Sequence, residues 1–382
     1  MNLTIQRAAL LKPLQMIGGV VERRQTLPIL ANVLATVKED KLFLTGTDLE
    51  IEMIGSAPIL QISEGGSITV SARKLLDICR ALPDDAELQW TLENGHLVLR
   101  SGKSRFILTT LPAHDFPSVE EGPFTTEFSI QQAKLKKLLS KTHFAMGQQD
   151  VRHYLNGTLF DIHQGVVKCV ATDGHRLALS SMTGIGTGET QAKVILPRKS
   201  VLELIRLLDN SENEVTVRIG DNHFRVMSED FIFTSKLINA QYPDYDKLIP
   251  RSAANTAIAG RELLKQALTR ASILSNEKFR GIRLHLDQNL LRIVANNPEQ
   301  EEAEELVQLE YQGNGVEIGF NVAYLLDVIS AIATDNIMCS FNDPNGGVLI
   351  ESSDKNLKNP DKNLDKSQHR DYSLYVVMPM RL

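Results

Sequence analysis

Few residues in this 382-residue chain have the types and spacing that catalysis needs. Asp173-Gly174-His175 places a carboxylate beside an imidazole, but no nucleophile or second carboxylate stands at a spacing that completes an acid–base site. Gly102-Lys103-Ser104 has the ending of a nucleotide phosphate-binding loop, yet Leu97 occupies the position of its required first glycine. The run from Gly184 to Gly188 lacks the third glycine of a dinucleotide-binding loop. These patterns predict that the protein is not an enzyme.

Metal and cofactor chemistry is equally poorly supported by the sequence. Cys79, Cys169 and Cys339 lie far apart without CxxC spacing, and no HExxH or Cys/His cluster is present. Isolated cysteines of this kind are typical of a reducing compartment. The first residues have no signal-peptide core, and no segment approaches 18 consecutive apolar residues. We therefore expect a cytoplasmic protein that binds no metal and no cofactor.

The elements that carry these residues recur three times along the chain. Leu-Lys pairs begin at Leu11, Leu135 and Leu264, at spacings of 124 and 129 residues. Thr47-Asp48 and Thr172-Asp173 lie 125 residues apart. A period of this size corresponds to a whole domain rather than to a short solenoid repeat. The predicted domains are 1–125, 126–251 and 252–382.

Each predicted domain combines two helices with antiparallel strands, which makes the fold class α+β. Apolar residues recur at helical spacing in six segments. These segments are Arg7 to Val20, Ala72 to Leu82, Gln131 to Ala145, Ser200 to Leu208, Gly260 to Leu274 and Asn321 to Ala333. Strands are predicted on both sides of Asn94-Gly95, a strong hairpin turn signal, and from Tyr154 to Asp161. The polar stretch from Ser352 to Asp371 predicts a solvated loop.

The charge of the chain is distributed unevenly between its helices and the rest. Five of the six predicted helices have a net positive charge, the fourth when Arg198-Lys199 just before it is counted, although the formal net charge of the chain is −6. Lys134, Lys137 and Lys141 lie on one face of the third helix. Solvated lysines are the simpler explanation for any single helix, but the common sign favours a shared anionic partner. Because no base-reading motif is present, the expected contact is with phosphates, which permits sliding along DNA.

The width of a helix limits how such a basic layer can surround a duplex. Helices pack about 9 Å apart, so six in a closed circle give a diameter of only about 17 Å through their axes. Twelve give about 35 Å, and subtracting a helix width of about 10 Å leaves a hole near 25 Å. A DNA duplex is roughly 20 Å wide. One chain therefore cannot encircle DNA, whereas two copies joined head to tail can.

Several motifs resemble the family of bacterial DNA polymerase III sliding clamps, the beta subunits. They are Thr45-Gly46-Thr47-Asp48-Leu49-Glu50, Ser101-Gly102-Lys103-Ser104-Arg105-Phe106, Ala171-Thr172-Asp173-Gly174-His175-Arg176-Leu177, Ile273 to Gly281, and Val377-Met378-Pro379-Met380-Arg381-Leu382. The resemblance covers nearly the whole chain. It implies a DNA-clamp fold and a homodimeric ring of six similar domains, with helices lining the inside and antiparallel sheets outside. Such a ring encircles double-stranded DNA and gives the replicative polymerase its processivity without performing chemistry.

The resemblance also implies three groups of site residues. A hydrophobic pocket is expected to bind short peptide motifs of the replicative polymerase subunit, the clamp loader, and other DNA polymerases or repair proteins. The pocket residues are Leu155, Thr172, Gly174, His175, Arg176, Leu177, Pro243, Leu248, Asn321, Tyr324, Val377, Met378, Pro379 and Met380. The DNA-binding residues are Arg24, Arg73, Gln149, Tyr154 and Lys199. The dimer-interface residues are Lys74, Lys103, Arg105, Phe106, Leu108, Ile273, Leu274, Glu299, Glu302 and Glu305.

Two other functions remain open at the level of the residues. An open DNA-binding scaffold would use the same basic helices without encircling the duplex. A DNA-processing enzyme built on repeated domains would show nuclease or ATPase activity that requires magnesium. Retention on closed circular DNA, with loss on linearisation, distinguishes a ring from both.

Overall fold

A computed structural model describes residues 1–21, 27–119, 122–185, 191–250, 253–353 and 371–381. Every pairing between the strands of these ranges is antiparallel. The helices in these ranges are α1 (Arg7–Ile17), α2 (Ala72–Ala81), α3 (Gln132–Ser140), α4 (Arg198–Leu207), α5 (Arg261–Ser272) and α6 (Val322–Ala331). All six helices predicted from apolar spacing are therefore present, and the α+β class is confirmed.

The third helix is shorter than its apolar spacing predicts. It ends at Ser140 instead of Ala145, and a 3-10 turn follows at His143–Ala145. The hydroxyl of Thr142 donates to the carbonyl oxygens of Leu138 and Leu139 at 3.1 and 3.3 Å. Because a side chain occupies these carbonyls at the end of the helix, the ladder does not continue in α-helical form.

The strand predicted from Tyr154 begins too early. Tyr154 lies in a 3-10 helix, His153–Leu155, and the strand begins at Gly157. The Asn156 side chain accepts from the Asp150 amide at 3.0 Å and donates to the Asp150 carbonyl at 2.9 Å, which closes the preceding loop. This local pairing competes with extended structure up to Asn156.

The chain divides into two compact units. The first unit contains Met1–Ala133 and Leu202–Leu237, and its strands form one 13-stranded sheet. In sheet order, these strands are β10 (Phe124–Gln131), β15 (Glu214–Gly220), β16 (His223–Met227), β17 (Phe231–Lys236), β4 (Ile51–Pro58), β3 (Lys41–Thr47), β2 (Asn32–Lys38), β6 (Ser67–Ser71), β9 (Ser104–Leu111), β8 (His96–Ser101), β7 (Glu87–Glu93), β1 (Asn2–Gln6) and β5 (Gln61–Glu64). The pairing of β17 with β4 joins the second sequence repeat to the first within one sheet.

The second unit contains Lys134–Val201 and Ile238–Leu382. Its eight-stranded sheet has the order β14 (Gln191–Pro197), β11 (Gly157–His163), β12 (Val166–Thr172), β13 (Arg176–Thr183), β25 (Tyr372–Val377), β24 (Val348–Ser353), β23 (Asn336–Phe341) and β18 (Asn255–Gly260). Its four-stranded sheet has the order β21 (Glu302–Gln308), β20 (Leu290–Asn296), β19 (Gly281–Asp287) and β22 (Val316–Asn321). The pairing of β13 with β25 joins the second repeat to the third, as β4 and β17 join the first two.

The helices bury the apolar faces that their sequences predict. Leu135, Leu138 and Leu139 of α3 are fully buried, while Lys134 and Lys137 on the same helix are exposed.

No helix among the described residues is long and apolar enough to cross a membrane. Across the same residues, no group of three or more His, Cys, Asp or Glu side chains is placed to hold a metal ion.

Two sequence predictions fall on residues outside this description. They are the loop from Ser352 to Asp371, of which residues 354–370 are not described, and the glycine run, of which residues 186–188 are not described. Ser352 itself belongs to β24.

Candidate functional site

A tight loop between β12 and β13 forms the centre of the site. The Thr172 hydroxyl donates to the Arg176 carbonyl at 2.6 Å and accepts from the Gly174 amide at 3.1 Å. Asp173 Oδ1 accepts from the amides of His175 and Arg176 at 2.9 and 3.0 Å. Gly174 has φ +88°, a left-handed conformation that favours glycine. These bonds fix the loop and direct the side chains of His175 and Arg176.

The Arg176 guanidinium is held from three sides. Its Nε donates to Asp173 Oδ2 at 3.2 Å, and its Nη2 donates to the Phe144 carbonyl at 2.6 Å. Its Nη1 donates to Asp327 Oδ2 on α6 at 2.5 Å. The Arg176 side chain is only 11% exposed. A guanidinium that is this buried needs such charge-assisted partners, because an unpaired cation would be costly to desolvate.

Two aromatic rings form a wall beside this guanidinium. The Tyr324 ring of α6 lies 4.5 Å from the Arg176 guanidinium carbon, within cation–π range. The same ring stacks on His175, with centroids 6.1 Å apart and planes 19° apart. Burial raises the pKa of the Tyr324 phenol, the Asp173 carboxylate raises it further, and Arg176 opposes the shift. The phenol therefore stays neutral and donates or accepts hydrogen bonds at physiological pH.

The C-terminal tail forms the other side of the site. Val377 pairs with Arg176 in the β13–β25 ladder. Beyond it, the Met378 amide donates to the His175 carbonyl at 2.8 Å, and the Met380 amide donates to the Gly319 carbonyl at 2.9 Å. Pro379 stands between these donors and has no amide hydrogen to satisfy. The tail is thus anchored on both sides while the Met378 side chain remains 41% exposed.

An apolar cluster supports the loop from below. Leu177, Leu179 and Val376 are buried in it together with the rings of Tyr242 and Tyr245. The Tyr245 hydroxyl donates to Asp161 Oδ2 at 2.8 Å, and burial raises the pKa of this phenol. Leu, Val, Met and aromatic side chains around a few fixed polar groups are typical of a small-ligand or peptide site.

The structure brings together much of the predicted pocket. The described contacts join Thr172, Gly174, His175, Arg176, Leu177, Tyr324, Val377 and Met378 around the loop, with Met380 fixed to the adjacent β22. The other predicted members lie on separate elements of the same unit. Leu155 ends a 3-10 helix and is buried, Pro243 is half-buried, Leu248 is 50% exposed, and Asn321 caps α6 by accepting from the Ala323 amide at 2.9 Å.

Sequence reasoning missed three groups that hold the loop in place. These are the Phe144 carbonyl, the Asp327 carboxylate, and Arg152, whose Nη2 donates to the Asp173 carbonyl at 3.2 Å. Asp150 bonds the same Arg152 side chain, which lowers the pKa of the Asp150 carboxyl to about 2. One signal was available, because Asp327 is the only charged residue in the predicted sixth helix and stands three positions after Tyr324.

The residues predicted to contact DNA are found in several environments. Arg73 on α2 is exposed and lies 3.6 Å from Asp77, whereas Gln149 is exposed at a loop position with φ +54°. Tyr154 packs its ring against the apolar cluster and is only half-buried. Lys199 is half-buried near the start of α4. Arg24 lies outside the described residues.

The predicted interface residues also differ in their availability. Ile273 is 75% exposed, and Lys74, Lys103, Arg105, Glu299 and Glu302 are exposed. Phe106 and Leu274 are half-buried, and Leu108 is buried. Glu305 is already bonded to Arg270 of its own chain by two contacts of 2.7 Å, which lower the pKa of its carboxyl.

Two strands that carry predicted interface residues, β9 and β21, each have an edge that is not fully paired with the other described strands. β9 pairs with β8 along Ser104 to Thr109, but with β6 only at Thr110 and Leu111. β21 is the first strand of its four-stranded sheet and pairs only with β20 among the described strands. Such edges present free main-chain donors and acceptors to another strand.

Comparison with known proteins places this geometry in a family. Three family models match consecutive parts of the chain: the N-terminal domain of the DNA polymerase III beta subunit at residues 1–120, its central domain at 129–244 and its C-terminal domain at 246–360. The beta sliding clamp of Pseudomonas aeruginosa is 50% identical over 382 residues, covering all of both chains. The chain belongs to the DNA polymerase III beta subunit family.

Further relatives agree with this assignment. The beta sliding clamp of Escherichia coli K12 is 48% identical over the full length of both chains. A crystal structure of the Pseudomonas aeruginosa sliding clamp bound to griselimycin matches with a TM-score of 0.93 and 50% identity over all of both chains. The fold is therefore the clamp fold, and the function is that of a DNA sliding clamp, a processivity factor without catalytic activity of its own. Membership of the family supports a dimeric ring that binds DNA and polymerase partners.

Proposed function

We propose that this clamp holds its partners in the pocket built from the Thr172–Leu177 loop, α6 and the tail Met378 to Met380. The observation that carries the proposal is the anchored loop, which presents a His175–Tyr324 wall and holds the main chain of Met378, whose side chain is exposed. A preformed site loses little conformational entropy on binding, so a short peptide can bind it with useful affinity. The occupants we propose are short motifs of the replicative polymerase subunit, the clamp loader, and other DNA polymerases or repair proteins.

Griselimycin is a concrete probe for this pocket. Because a clamp that is 50% identical was crystallised with griselimycin, we propose that this chain binds griselimycin too, in the pocket described here. Titration calorimetry should give one site per chain. Competition with a peptide from the replicative polymerase subunit should reduce the observed heat. A clamp that binds neither the peptide nor griselimycin would not use this pocket.

We also propose that two copies close head to tail through the open edges of β9 and β21. Pairing of these edges would extend one sheet across the interface. The β9 edge is basic, with Arg105 on the strand and Lys103 just before it. The β21 edge is acidic, with Glu302 on the strand and Glu299 shortly before it. Opposite charges on the two edges favour head-to-tail pairing over pairing of like edges. The exposed Ile273 side chain would supply apolar area that the isolated chain leaves in water.

A double substitution tests this interface. Ile273→Ala with Leu274→Ala removes apolar area from the proposed contact, so we expect the dimer to dissociate at concentrations at which the wild type remains dimeric. Sedimentation velocity measures the mass, and Leu263→Ala is a matched control because Leu263 is also exposed (65%) on α5. An unchanged dimer in the double variant would reject this interface.

Within the ring, we propose that phosphates are contacted by Arg24, Arg73, Gln149, Tyr154 and Lys199, together with the exposed Lys134 and Lys137 of α3. Each phosphate contact contributes a salt-dependent term to the affinity without reading sequence.

We propose three domains at 1–125, 126–251 and 252–382, supported by the repeat spacing and by the three consecutive family matches. Wild-type protein should remain on nicked circular DNA and leave it after linearisation, whereas the double interface variant should leave both.

A further inference from the structure

The Arg176 side chain connects three elements of the second unit. Its Nη2 reaches the Phe144 carbonyl in the 3-10 turn after α3, its Nε reaches Asp173 in its own loop, and its Nη1 reaches Asp327 on α6. The Asp173 contact is internal to the loop and would persist if α6 moved. The Asp327 contact is therefore the one ion pair of this guanidinium in the described structure that ties the loop to α6.

Asp327 acts on the same face of α6 as the pocket wall. It stands three residues after Tyr324, and residues at this spacing are neighbours on a helix. The carboxylate and the ring therefore hold one guanidinium between them, with the ring 4.5 Å from its central carbon. Tyr324 in turn stacks on His175. The position of this stacked pair depends on the position of α6 relative to the loop, to which the Asp327–Arg176 pair ties it.

The two partners of this ion pair differ in how much they depend on it, because Arg176 is more buried than Asp327. Arg176 is 11% exposed and Asp327 is 47% exposed, so the cation is the partner that cannot regain water when the pair breaks. Neutral asparagine at position 327 keeps the shape and an acceptor oxygen but loses the charge that offsets the buried guanidinium. The guanidinium would then shift towards Asp173 and leave the Tyr324 ring.

From this geometry we infer that Asp327 is a positioning residue for peptide binding. It acts through Arg176 to hold the His175–Tyr324 wall in the conformation that receives a peptide, and it is outside the set of residues proposed to line the pocket. The inference rests on the proposed function of the pocket. Its consequence is that ligand affinity responds to the charge at position 327 without loss of a ligand contact.

The first unit supplies a matched control. Glu203, the sixth residue of α4, corresponds in position to Asp327, the sixth residue of α6. Glu203 Oε2 accepts from Arg206 Nε at 2.8 Å, and Arg206 donates to the carbonyls of Gln15 and Met16 at 3.2 and 2.5 Å. It is thus an acid–arginine pair that also binds helix-end carbonyls, but it has no aromatic wall beside it in the described contacts.

The experiment measures griselimycin binding to the full chain by titration calorimetry for the wild type, Asp327→Asn, Asp327→Glu and Glu203→Gln. We expect Asp327→Asn to weaken binding about tenfold, since loss of one charge-assisted bond is of this size. Asp327→Glu should recover most of the affinity because it restores the charge. Glu203→Gln should bind like the wild type. The melting temperature of each variant, measured in parallel, shows whether the protein is folded.

The outcomes separate the inference from the function on which it rests. If wild-type protein binds no griselimycin and no polymerase peptide, the proposed pocket is wrong and the positioning role is wrong with it. If the wild type binds and Asp327→Asn binds equally well, only the positioning role is overturned. Equal weakening by Asp327→Asn and Glu203→Gln also overturns it, because a general loss of stability would then explain the effect. Failure of Asp327→Glu to recover affinity overturns it as well, because the charge at position 327 would then not be what holds the wall.

Discussion

The first and second units contain the same loop with different side chains. In the first unit, the Thr47 hydroxyl donates to the Ile51 carbonyl at 2.8 Å and accepts from the Leu49 amide at 3.0 Å. Asp48 Oδ1 accepts from the next two amides at 2.9 and 2.7 Å. These are the four bonds of the Thr172–Arg176 loop, 125 residues later.

The strand beside each loop is attached in the same way. The amide of Lys236, the last residue of β17, donates to the Glu50 carbonyl at 2.9 Å. In the same way, the amide of Met378, just after β25, donates to the His175 carbonyl at 2.8 Å. The differences lie in the side chains, since Leu49 replaces Gly174 at the left-handed position and buried Ile51 replaces Arg176. The repeated backbone is therefore a scaffold, and the site depends on the residues placed on it.

The largest test of this comparison removes the tail of the second unit. Deleting residues 378–382 takes away the Met378 and Met380 main-chain bonds and the exposed Met378 side chain. We expect griselimycin affinity to fall by at least about 100-fold, because an anchor and one wall of the pocket are lost together. Titration calorimetry measures the affinity, and sedimentation should still show a dimer. Undiminished binding by a dimeric truncated protein would remove the tail from the site.

An exchange of the left-handed residues tests the next difference. In Gly174→Leu, the new Cβ would lie 3.1 Å from Arg152 Nη2, and leucine at φ +88° costs about 1–2 kcal/mol. We expect a lower melting temperature and about tenfold weaker griselimycin binding, because Arg152 must move away from the loop. Leu49→Gly relieves the strain at φ +77° but makes the unfolded chain more flexible, so stability should change by less than about 1 kcal/mol. Weaker binding in Leu49→Gly would show that the first loop also contributes to the site.

Thr47 and Thr172 make the same hydrogen bonds in the two loops, so the same substitution can be compared at both positions. The Thr47 and Thr172 side chains are buried and each bridges its loop through two hydrogen bonds. Replacing either with valine leaves partly buried main-chain groups without their hydroxyl partner, so each variant should lose about 1–3 kcal/mol of unfolding free energy. Chemical denaturation measures both losses. Only Thr172→Val should also weaken griselimycin binding, and equal binding losses in the two variants would contradict a site confined to the second unit.

The sequence predicted the helices well because their burial pattern is local. Leu135, Leu138 and Leu139 mark the buried face of α3 at helical spacing, and they are buried. The end of that helix depends on what the Thr142 hydroxyl bonds in the folded chain, and the start of the next strand depends on what the Asn156 side chain bonds. Spacing reveals neither. Helix existence therefore followed from periodicity, whereas the boundaries required tertiary contacts.

The site was predictable in outline only through the resemblance to a family. Apolar spacing gave no reason to place Arg176 beside α6, because the residues are separated by about 150 positions and the pairing of β13 with β25 brings their repeats together. The dimer prediction was less specific for a similar reason. Glu305 has the right sign for a partner edge, but the fold places Arg270 within 2.7 Å of it.

The smallest expected effect is a change of stability with pH, caused by a histidine of the second unit that has no counterpart in the first. His143 follows α3, and the position 125 residues earlier is Gly18. Burial lowers the pKa of His143, and Arg198 lowers it further, whereas the Ser140 carbonyl and Asp327 oppose the shift. The unfolded chain therefore binds this proton more readily than the folded one. The stabilisation is present above pH 6.5 and is lost as the pH falls through that value towards the folded pKa.

Hydrogen exchange can locate this effect at His143. Protection of the amides in segment 141–147, corrected for intrinsic exchange, should fall between pH 7.5 and 5.5, whereas segment 16–21 should be unaffected. One group changes the free energy by at most about 1.4 kcal/mol per pH unit, so the change is small. His143→Gln keeps a polar side chain without a titrating proton and should abolish the pH difference. If the difference persists in His143→Gln, another group near the Phe144 carbonyl is titrating, and the contrast between the two loop regions does not depend on this histidine.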